Sequence, residues 1–206
     1  MPIHKYMIEN ILYPAMERYK GNRIRTVLSE LQQSQYGDIP AIQKLRLTRL
    51  LLHCKQHVPA YQTILPSELE INADPFHVLY SCVSPLQKHT FQSDSDRYLA
   101  DNIDDTQRIP NCTGGSTGEP VHFYMTRQQV ESYEAARWRG LSWYGITPGS
   151  RSVMLWGSPI ELSKQAQFIN RLREQLLKKR RILSAYQLSD QNLKKYVKFM
   201  ERYKPE

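Results

Sequence analysis

The stretch 106–126, TQRIPNCTGGSTGEPVHFYMT, has the clearest structural pattern in the chain. Apolar residues with high strand propensity flank the segment 113–118, in which three of six positions are glycine. Because glycine readily adopts positive φ angles, this pattern predicts strand, glycine-rich loop, strand. Thr126 and Gln129 then follow at capping-box spacing, which predicts that a helix begins there.

Downstream of this stretch, candidate strands alternate with amphipathic helices. The apolar run 152–156 is typical of a buried parallel strand, and 181–186 is the next strand candidate. Helical periodicity fills 161–178 between them, and Ser189 is placed to cap a last helix. The alternation predicts an α/β fold, in which an N-terminal helical region precedes an incomplete, mainly parallel sheet flanked by helices.

Upstream of the stretch, helices dominate the pattern. Residues 4–33 show helical periodicity that Pro14 and Gly21 are expected to interrupt, giving two short helices. A second helical stretch follows Pro40, and the segment 59–105 is expected to be irregular, with one or two short helices.

These patterns divide the chain at the change of character near residue 106. The predicted domains are a helical and loop region, 1–105, and a partial α/β subdomain, 106–206.

The composition is that of an ordinary globular chain. The 206 residues are 40% hydrophobic and 23% charged, with a formal net charge of +8. No apolar run has the length of a membrane helix, and the first residues have no apolar signal-peptide core, so we expect a cytoplasmic protein. The three cysteines, Cys54, Cys82 and Cys112, have neither disulfide-framework nor metal-clip spacing.

The glycine-rich loop is the candidate functional segment. Consecutive backbone N–H groups and the hydroxyls of Thr113, Ser116 and Thr117 can hold phosphate oxygens. The loop is not a Walker A motif, because Glu119 stands where the second glycine is needed. The alternative interpretation is an ordinary flexible hairpin turn.

The loop also carries a family resemblance. TGGSTGEPV (113–121) resembles the phosphate-binding loop of the adenylate-forming superfamily, the acyl- and aryl-CoA synthetases. The chain is most similar to the phenylacetate–coenzyme A ligase group and its capsular-polysaccharide, CapK-type members. HVPAYQTIL (57–65), SPLQKHTFQ (84–92) and the stretch 183–206 resemble segments of those proteins before and after the loop.

The resemblance implies an ATP-dependent, acid-activating ligase. Such an enzyme joins a small carboxylic acid to AMP, with Mg²⁺ present, and coenzyme A is a possible acceptor. The residues that would position the β- and γ-phosphates are Thr113, Gly114, Gly115, Ser116, Thr117 and Gly118. By this resemblance, 106–206 is the ATP-binding subdomain. None of these groups is a nucleophile or a proton donor, so no catalytic residue is assigned.

Two departures from the family pattern affect this interpretation. Val121 stands where the superfamily loop often has a lysine, so that cation is absent. The family proteins are about twice as long, so we expect this chain to be the N-terminal half of such an enzyme. On its own, the half is expected not to complete acid activation.

Two other functions remain open. The chain is alternatively a non-catalytic interaction module, with a partner chain covering the unfinished sheet. It is alternatively an anionic-surface binder, since its last 36 residues contain 11 basic and 4 acidic groups. The run 178–181 is more typical of a solvated helix end, and we expect no nucleic-acid partner.

Three further groups of residues have structural interpretations. His53 and His57 have the spacing of two metal ligands on one helix face, but no third ligand follows, so no metal site is predicted. Trp138, Trp143 and Trp156 are interpreted as core or substrate-wall residues. The acidic group between residues 94 and 105 is interpreted as a solvated loop.

Overall fold

The computed structural model describes residues 3–113, 119–156, 174–176, 179–185 and 188–206. These residues form a mixed α/β structure in which helices predominate. The chain divides into two compact units: residues 1–28 with 131–206, here the terminal unit, and residues 29–130, here the central unit. This grouping places the first helices in one unit with the last third of the chain. The boundary near residue 106 is inferred from a change in the sequence pattern, and it stays a prediction.

The helical bounds follow chain order. The described α-helices are α1 (Ile3–Met7), α2 (Tyr13–Lys20), α3 (Ile24–Ser34), α4 (Ile39–His57), α5 (Pro59–Gln62), α6 (Glu68–Ala73), α7 (Pro75–Cys82), α8 (Lys88–Ser93), α9 (Arg127–Ser142) and α10 (Asp190–Tyr203). A π-helical turn, Ile8–Leu12, joins α1 to α2, and two 3₁₀ turns cover Ser95–Tyr98 and Asp105–Gln107.

Residues 4–33 lie in two helical segments as predicted, but the break between them falls at Gly21 and not at Pro14. Helical structure runs without a break from Ile3 to Lys20, and Pro14 lies in the first turn of α2, directly after the π-helical turn. Proline lacks an N–H group, and the π-helical turn, in which the N–H of Tyr13 donates to the carbonyl of Ile8, accommodates it without ending the helix. Gly21 does end the helix, in the left-handed conformation with φ of 61°.

The expectation of an irregular segment over 59–105 is also wrong, because four α-helices lie within it. Pro75, a residue type that favours turns, instead occupies the first position of α7. Ser67 and Glu70 form a reciprocal capping box at α6. Asp74 accepts hydrogen bonds from the backbone N–H groups of Phe76 and His77 at α7.

Helices α5, α6 and α7 pack on α4 to form the core of the central unit. Leu51 of α4, Leu65, Ile71 and Val78 are all nearly inaccessible to solvent. Helix α4 begins after the Asp38 cap, with Pro40 in its first turn as the sequence predicted, and ends at His57, shortly before Pro59. The core therefore fixes the position of the chain that follows α7.

The described strands form two separate two-stranded sheets. Strands β1 (Ile109–Cys112) and β2 (His122–Met125) pair antiparallel in the central unit. Strands β3 (Ser152–Trp156) and β4 (Arg180–Ser184) pair parallel in the terminal unit. The prediction of one mainly parallel sheet is therefore corrected for the described residues: the hairpin is a sheet of its own.

Strand β3 is parallel as predicted, but it is not buried. Leu155 is 55% and Trp156 is 43% exposed, and Ile182 of β4 is 52% exposed. The helix predicted over 161–178 lies outside the described residues, except for a helical turn at 174–176.

The terminal unit is held by contacts between its first and last segments. The indole Nε1–H of Trp138 on α9 donates to the hydroxyl of Tyr13 on α2 at 3.1 Å, inside the core. Ser189 caps α10 as predicted, accepting from the N–H of Asn192.

Among the described residues, no helix has the length and apolar character needed to cross a membrane.

Candidate functional site

The candidate site is the β1–β2 hairpin, which presents the glycine-rich loop. Thr113 closes the hairpin just before the loop: its N–H donates to the carbonyl of Val121 at 3.0 Å, and its Oγ1 accepts from the N–H of Val121 at 3.0 Å. The predicted phosphate-binding residues Gly114, Gly115, Ser116, Thr117 and Gly118 lie outside the described residues. Thr113 is the only residue of the predicted set that the structure describes. Its hydrogen bonds to Val121 hold the two ends of the loop together.

Helix α8 contacts the chain as it leaves the loop. The Lys88 ammonium donates to the backbone carbonyl of Glu119, and the Gln92 amide donates to that of Pro120 at 3.3 Å. Backbone carbonyl groups need hydrogen-bond donors. The side chains of Lys88 and Gln92 donate to the carbonyl groups of Glu119 and Pro120, which the strand pairing of the hairpin does not include. The exit of the loop is thereby tied to a helix 31 residues earlier in the chain.

The far end of the hairpin borders a pocket of about 380 Å³, here called the open-end pocket. Its lining comes from α4, the segment 98–108, β2 and the first turn of α9. The lining residues are His53, Val58, Tyr98, Leu99, Ala100, Ile103, Arg108, Tyr124, Met125, Thr126, Gln128 and Gln129. Helix α9 begins there with the predicted capping box, in which the N–H groups of Thr126 and Gln129 donate to each other's side chains.

Of the two histidines with metal-ligand spacing, His53 lines this pocket and His57 follows it on α4. The rings of His53 and His57 are 5.2 Å apart, between centroids. His57 Nδ1 hydrogen-bonds Asp101 Oδ1 at 2.9 Å, which ties the end of α4 to the segment after Tyr98. Within the described ranges, no group of three histidine, cysteine or acidic side chains could hold a metal ion.

Two arginines of the basic run 178–181 interact with side chains of their own chain. Arg180 donates to Glu174, with its Nε at 2.6 Å from Oε2, and both side chains are largely buried. The Arg181 guanidinium lies 5.6 Å from the ring centre of Tyr203. Lys178 lies outside the described residues. Two of the cations are therefore oriented by intramolecular partners, which weakens the case for a free anion-binding patch.

The tryptophans differ in role. Trp138 is a core residue, as interpreted from the sequence, whereas Trp143 is 67% exposed beneath the Arg139 guanidinium. Two buried groups of the terminal unit have raised pKa values. Burial raises the pKa of Tyr13 to about 12 and raises the pKa of Glu17, whose carboxylate accepts from the N–H of Arg25.

Sequence reasoning missed Lys88, Gln92 and Arg108 as site residues. Lys88 belongs to the segment 84–92 quoted for the resemblance, so a signal was present, but nothing in the pattern indicated its contact with Glu119. Arg108 carries no motif. Only folding brings it to the pocket wall with His53 of α4.

Comparisons with known proteins give no assignment. No protein-family model matches the chain, no curated protein does, and no solved structure does.

Proposed function

We propose that this chain carries the phosphate-binding hairpin of an ATP-dependent, acid-activating ligase similar to the phenylacetate–coenzyme A ligase and CapK-type proteins. The observation that carries the proposal is the contact of Lys88 with Glu119. It joins two segments, 84–92 and 113–121, that separately resemble that family.

The pairing of the hairpin strands supports the proposal. The paired strands β1 and β2 hold both ends of the loop, and Thr113 closes it with two hydrogen bonds to Val121. A loop with fixed ends loses less conformational entropy when it closes around an anion. Its glycines allow the backbone N–H groups to converge on phosphate oxygens.

Lys88 offers the positive charge that the loop sequence itself lacks. Val121 replaces the lysine that often ends the superfamily loop, and the Lys88 ammonium lies against the carbonyl of Glu119, two residues before that position. In this proposal Lys88 contributes a long-range attraction to the phosphates, while the loop supplies the direct donors.

Bound ATP with Mg²⁺ would supply the adenylyl group that makes a carboxylate reactive. The residues Thr113 to Gly118 would hold and orient the phosphates, and their role is positioning. Coenzyme A remains a possible acceptor, and the acid is a small carboxylic acid.

Nucleotide binding by the purified 206-residue chain tests this proposal without requiring turnover. MgATP is titrated by calorimetry against the wild type, Lys88→Gln and Lys44→Gln. Lys44 is a matched control because its ammonium also donates to a backbone carbonyl, that of Ala73. We expect Lys88→Gln to weaken MgATP binding about tenfold, because one charge about 10 Å from another contributes roughly 1–2 kcal/mol at the effective dielectric constant of a protein surface. Lys44→Gln is expected to leave binding unchanged.

A loop variant provides the second arm. Thr117→Val removes a hydroxyl donor from the loop, and Thr106→Val makes the same chemical change before β1. The proposal expects weaker binding for the first variant alone. Equal affinities of all four variants and the wild type would refute the assignment of the phosphates to this loop.

A further inference from the structure

We propose that the open-end pocket binds a small organic anion, a carboxylate or phosphate group carried on an apolar body. The inference is independent of the proposed function, because the pocket and the glycine-rich loop lie at opposite ends of the hairpin. The pairs Cys112–His122 and Ile109–Met125 mark those two ends. They are three residues apart along each strand, or about 10 Å.

The size and walls of the pocket suit the apolar body. Its volume of about 380 Å³ lies within the roughly 300–1,000 Å³ typical of small-molecule sites. Val58, Leu99, Ala100, Ile103 and Met125 supply apolar surface from three different parts of the chain. Burying a ring or a short alkyl chain against this surface is favourable.

Arg108 is the principal group for the anion. Its guanidinium makes two hydrogen bonds, one to Asp105 Oδ1 and one to the carbonyl of Ala100 at 3.1 Å. A guanidinium has five N–H donors. Apart from these two hydrogen bonds, the Arg108 donors have no acceptor among the described residues. The Asp105 side chain is 91% exposed, so water screens its charge. The Arg108 side chain is only 20% exposed, which orients it firmly at the wall.

The other polar groups of the pocket wall also favour an acceptor-rich ligand. In the described part of the chain, His53 and the hydroxyls of Tyr98 and Tyr124 have no hydrogen-bond partner, and no aspartate or glutamate lines the pocket. The nearby Asp101 is bonded to His57. Gln128, in the first turn of α9, adds an amide donor where the helix dipole is positive.

A negative charge introduced at residue 128 tests the proposal, and it is not expected to destabilise the fold. Gln128→Glu adds a carboxylate at the pocket wall, and a negative charge in the first turn of a helix is stabilising. Ala136→Glu is the matched control, since Ala136 is exposed on the same helix eight residues later, about 12 Å along the axis.

The probes are 2-naphthoate, 2-naphthyl phosphate and neutral 2-naphthamide, titrated by ¹H–¹⁵N NMR against the 206-residue chain. We expect one or both anions to bind with shifts centred on Tyr98, Arg108 and Tyr124, and at least about tenfold more tightly than the amide. Gln128→Glu is expected to weaken anion binding about tenfold, and Ala136→Glu to leave it unchanged. The tighter anion identifies the ligand as an acid or a phosphate ester.

Three results would overturn the proposal. The first is equal binding of amide and anions, which would mean a merely apolar cleft. The second is the absence of anion binding up to about 2 mM, a free energy too small for a specific site. The third is retained anion affinity in Gln128→Glu, or shifts centred on the loop 113–121, which would place the anion elsewhere.

Discussion

At the level of single residues, Tyr13 and Trp138 make the stability of the terminal unit sensitive to alkaline pH. The Tyr13 ring is 2% exposed, and its hydroxyl accepts the indole N–H of Trp138. Burial raises the pKa of Tyr13 to about 12, and the hydrogen bond from Trp138 partly offsets this. The folded state therefore holds the phenol proton more tightly than the unfolded chain does.

The sign of the effect follows from linkage. The stability contributed by Tyr13 is complete below pH 10, its ordinary pKa, and is lost as pH rises toward 12. At pH 11 the loss is about 1.4 kcal/mol. Urea unfolding of the wild type and Tyr13→Phe measures it. At pH 8 the variant is expected to be less stable by about 1 kcal/mol, because the Trp138 N–H loses its acceptor.

At pH 11 that difference is expected to vanish or reverse, because Tyr13→Phe has no phenol to ionise. Tyr19→Phe is the control, since the Tyr19 side chain is 92% exposed. A difference between wild type and Tyr13→Phe that is constant from pH 8 to 11 would contradict the buried-phenol interpretation.

Capping side chains account for the short helices of the central unit at the level of elements. Helices α6 and α7 have only 6 and 8 residues, too few to be stable on their own. Ser67 and Asp74 satisfy their first N–H groups, and Ile71 and Val78 bury their inner faces against α4.

Asp74→Ala is expected to lower the free energy of unfolding by about 1 kcal/mol, because the N–H groups of Phe76 and His77 lose their acceptor. Thermal and urea unfolding measure the change. Asp104 precedes a 3₁₀ turn and makes no capping hydrogen bond, so Asp104→Ala is the matched control with an expected change near zero. Equal effects of the two substitutions would show that capping does not support α7.

Local signals in the sequence predict elements well where a few neighbouring residues decide them. Thr126 with Gln129, Ser189 and Gly21 all act as predicted, because each hydrogen bond or φ angle is set within about four residues. The helices within 59–105 were missed because proline, serine and aspartate serve both as turn formers and as helix starts. Only packing on Leu51 distinguishes the two uses.

The site is less predictable than the helices and strands, because most of its residues are far apart in the sequence. Thr113 and the loop are continuous in sequence, so a motif can reveal them. The contact between Lys88 and Glu119 spans 31 residues, and the open-end pocket combines His53 with Arg108 and Gln128. Such groupings depend on the tertiary fold, which no short pattern specifies.

At the scale of the whole molecule, the terminal unit joins residues from both ends of the chain. The Lys5 ammonium donates to the Glu206 carboxylate at 2.8 Å, and the Thr147 hydroxyl donates to Glu9 at 3.4 Å. Gly149 packs directly on Ile8, with φ of 93°. Substitutions at either end of this unit are therefore expected to affect its overall stability.

Gly149→Ala tests this packing. A Cβ at residue 149 would lie 3.1 Å from the Cβ of Ile8, and the positive φ adds backbone strain. We expect a loss of roughly 2–3 kcal/mol in unfolding free energy. Gly145→Ala has φ of 72° with no atom within 4 Å of the added Cβ, so it isolates the strain and is expected to cost roughly 1 kcal/mol. Equal losses would mean that the contact with Ile8 contributes nothing.

Phosphate binding by the hairpin loop is the property on which the proposed function depends. The most direct test is competition at equilibrium: fluorescent trinitrophenyl-ATP is bound to the 206-residue chain with Mg²⁺ and displaced by tripolyphosphate or by adenosine. We predict displacement by tripolyphosphate, weakened by Thr117→Val but not by Thr106→Val, because the contacts proposed for the loop are with phosphates and not with the nucleoside. Displacement by adenosine but not by tripolyphosphate, or no binding of the fluorescent nucleotide, would contradict the claim.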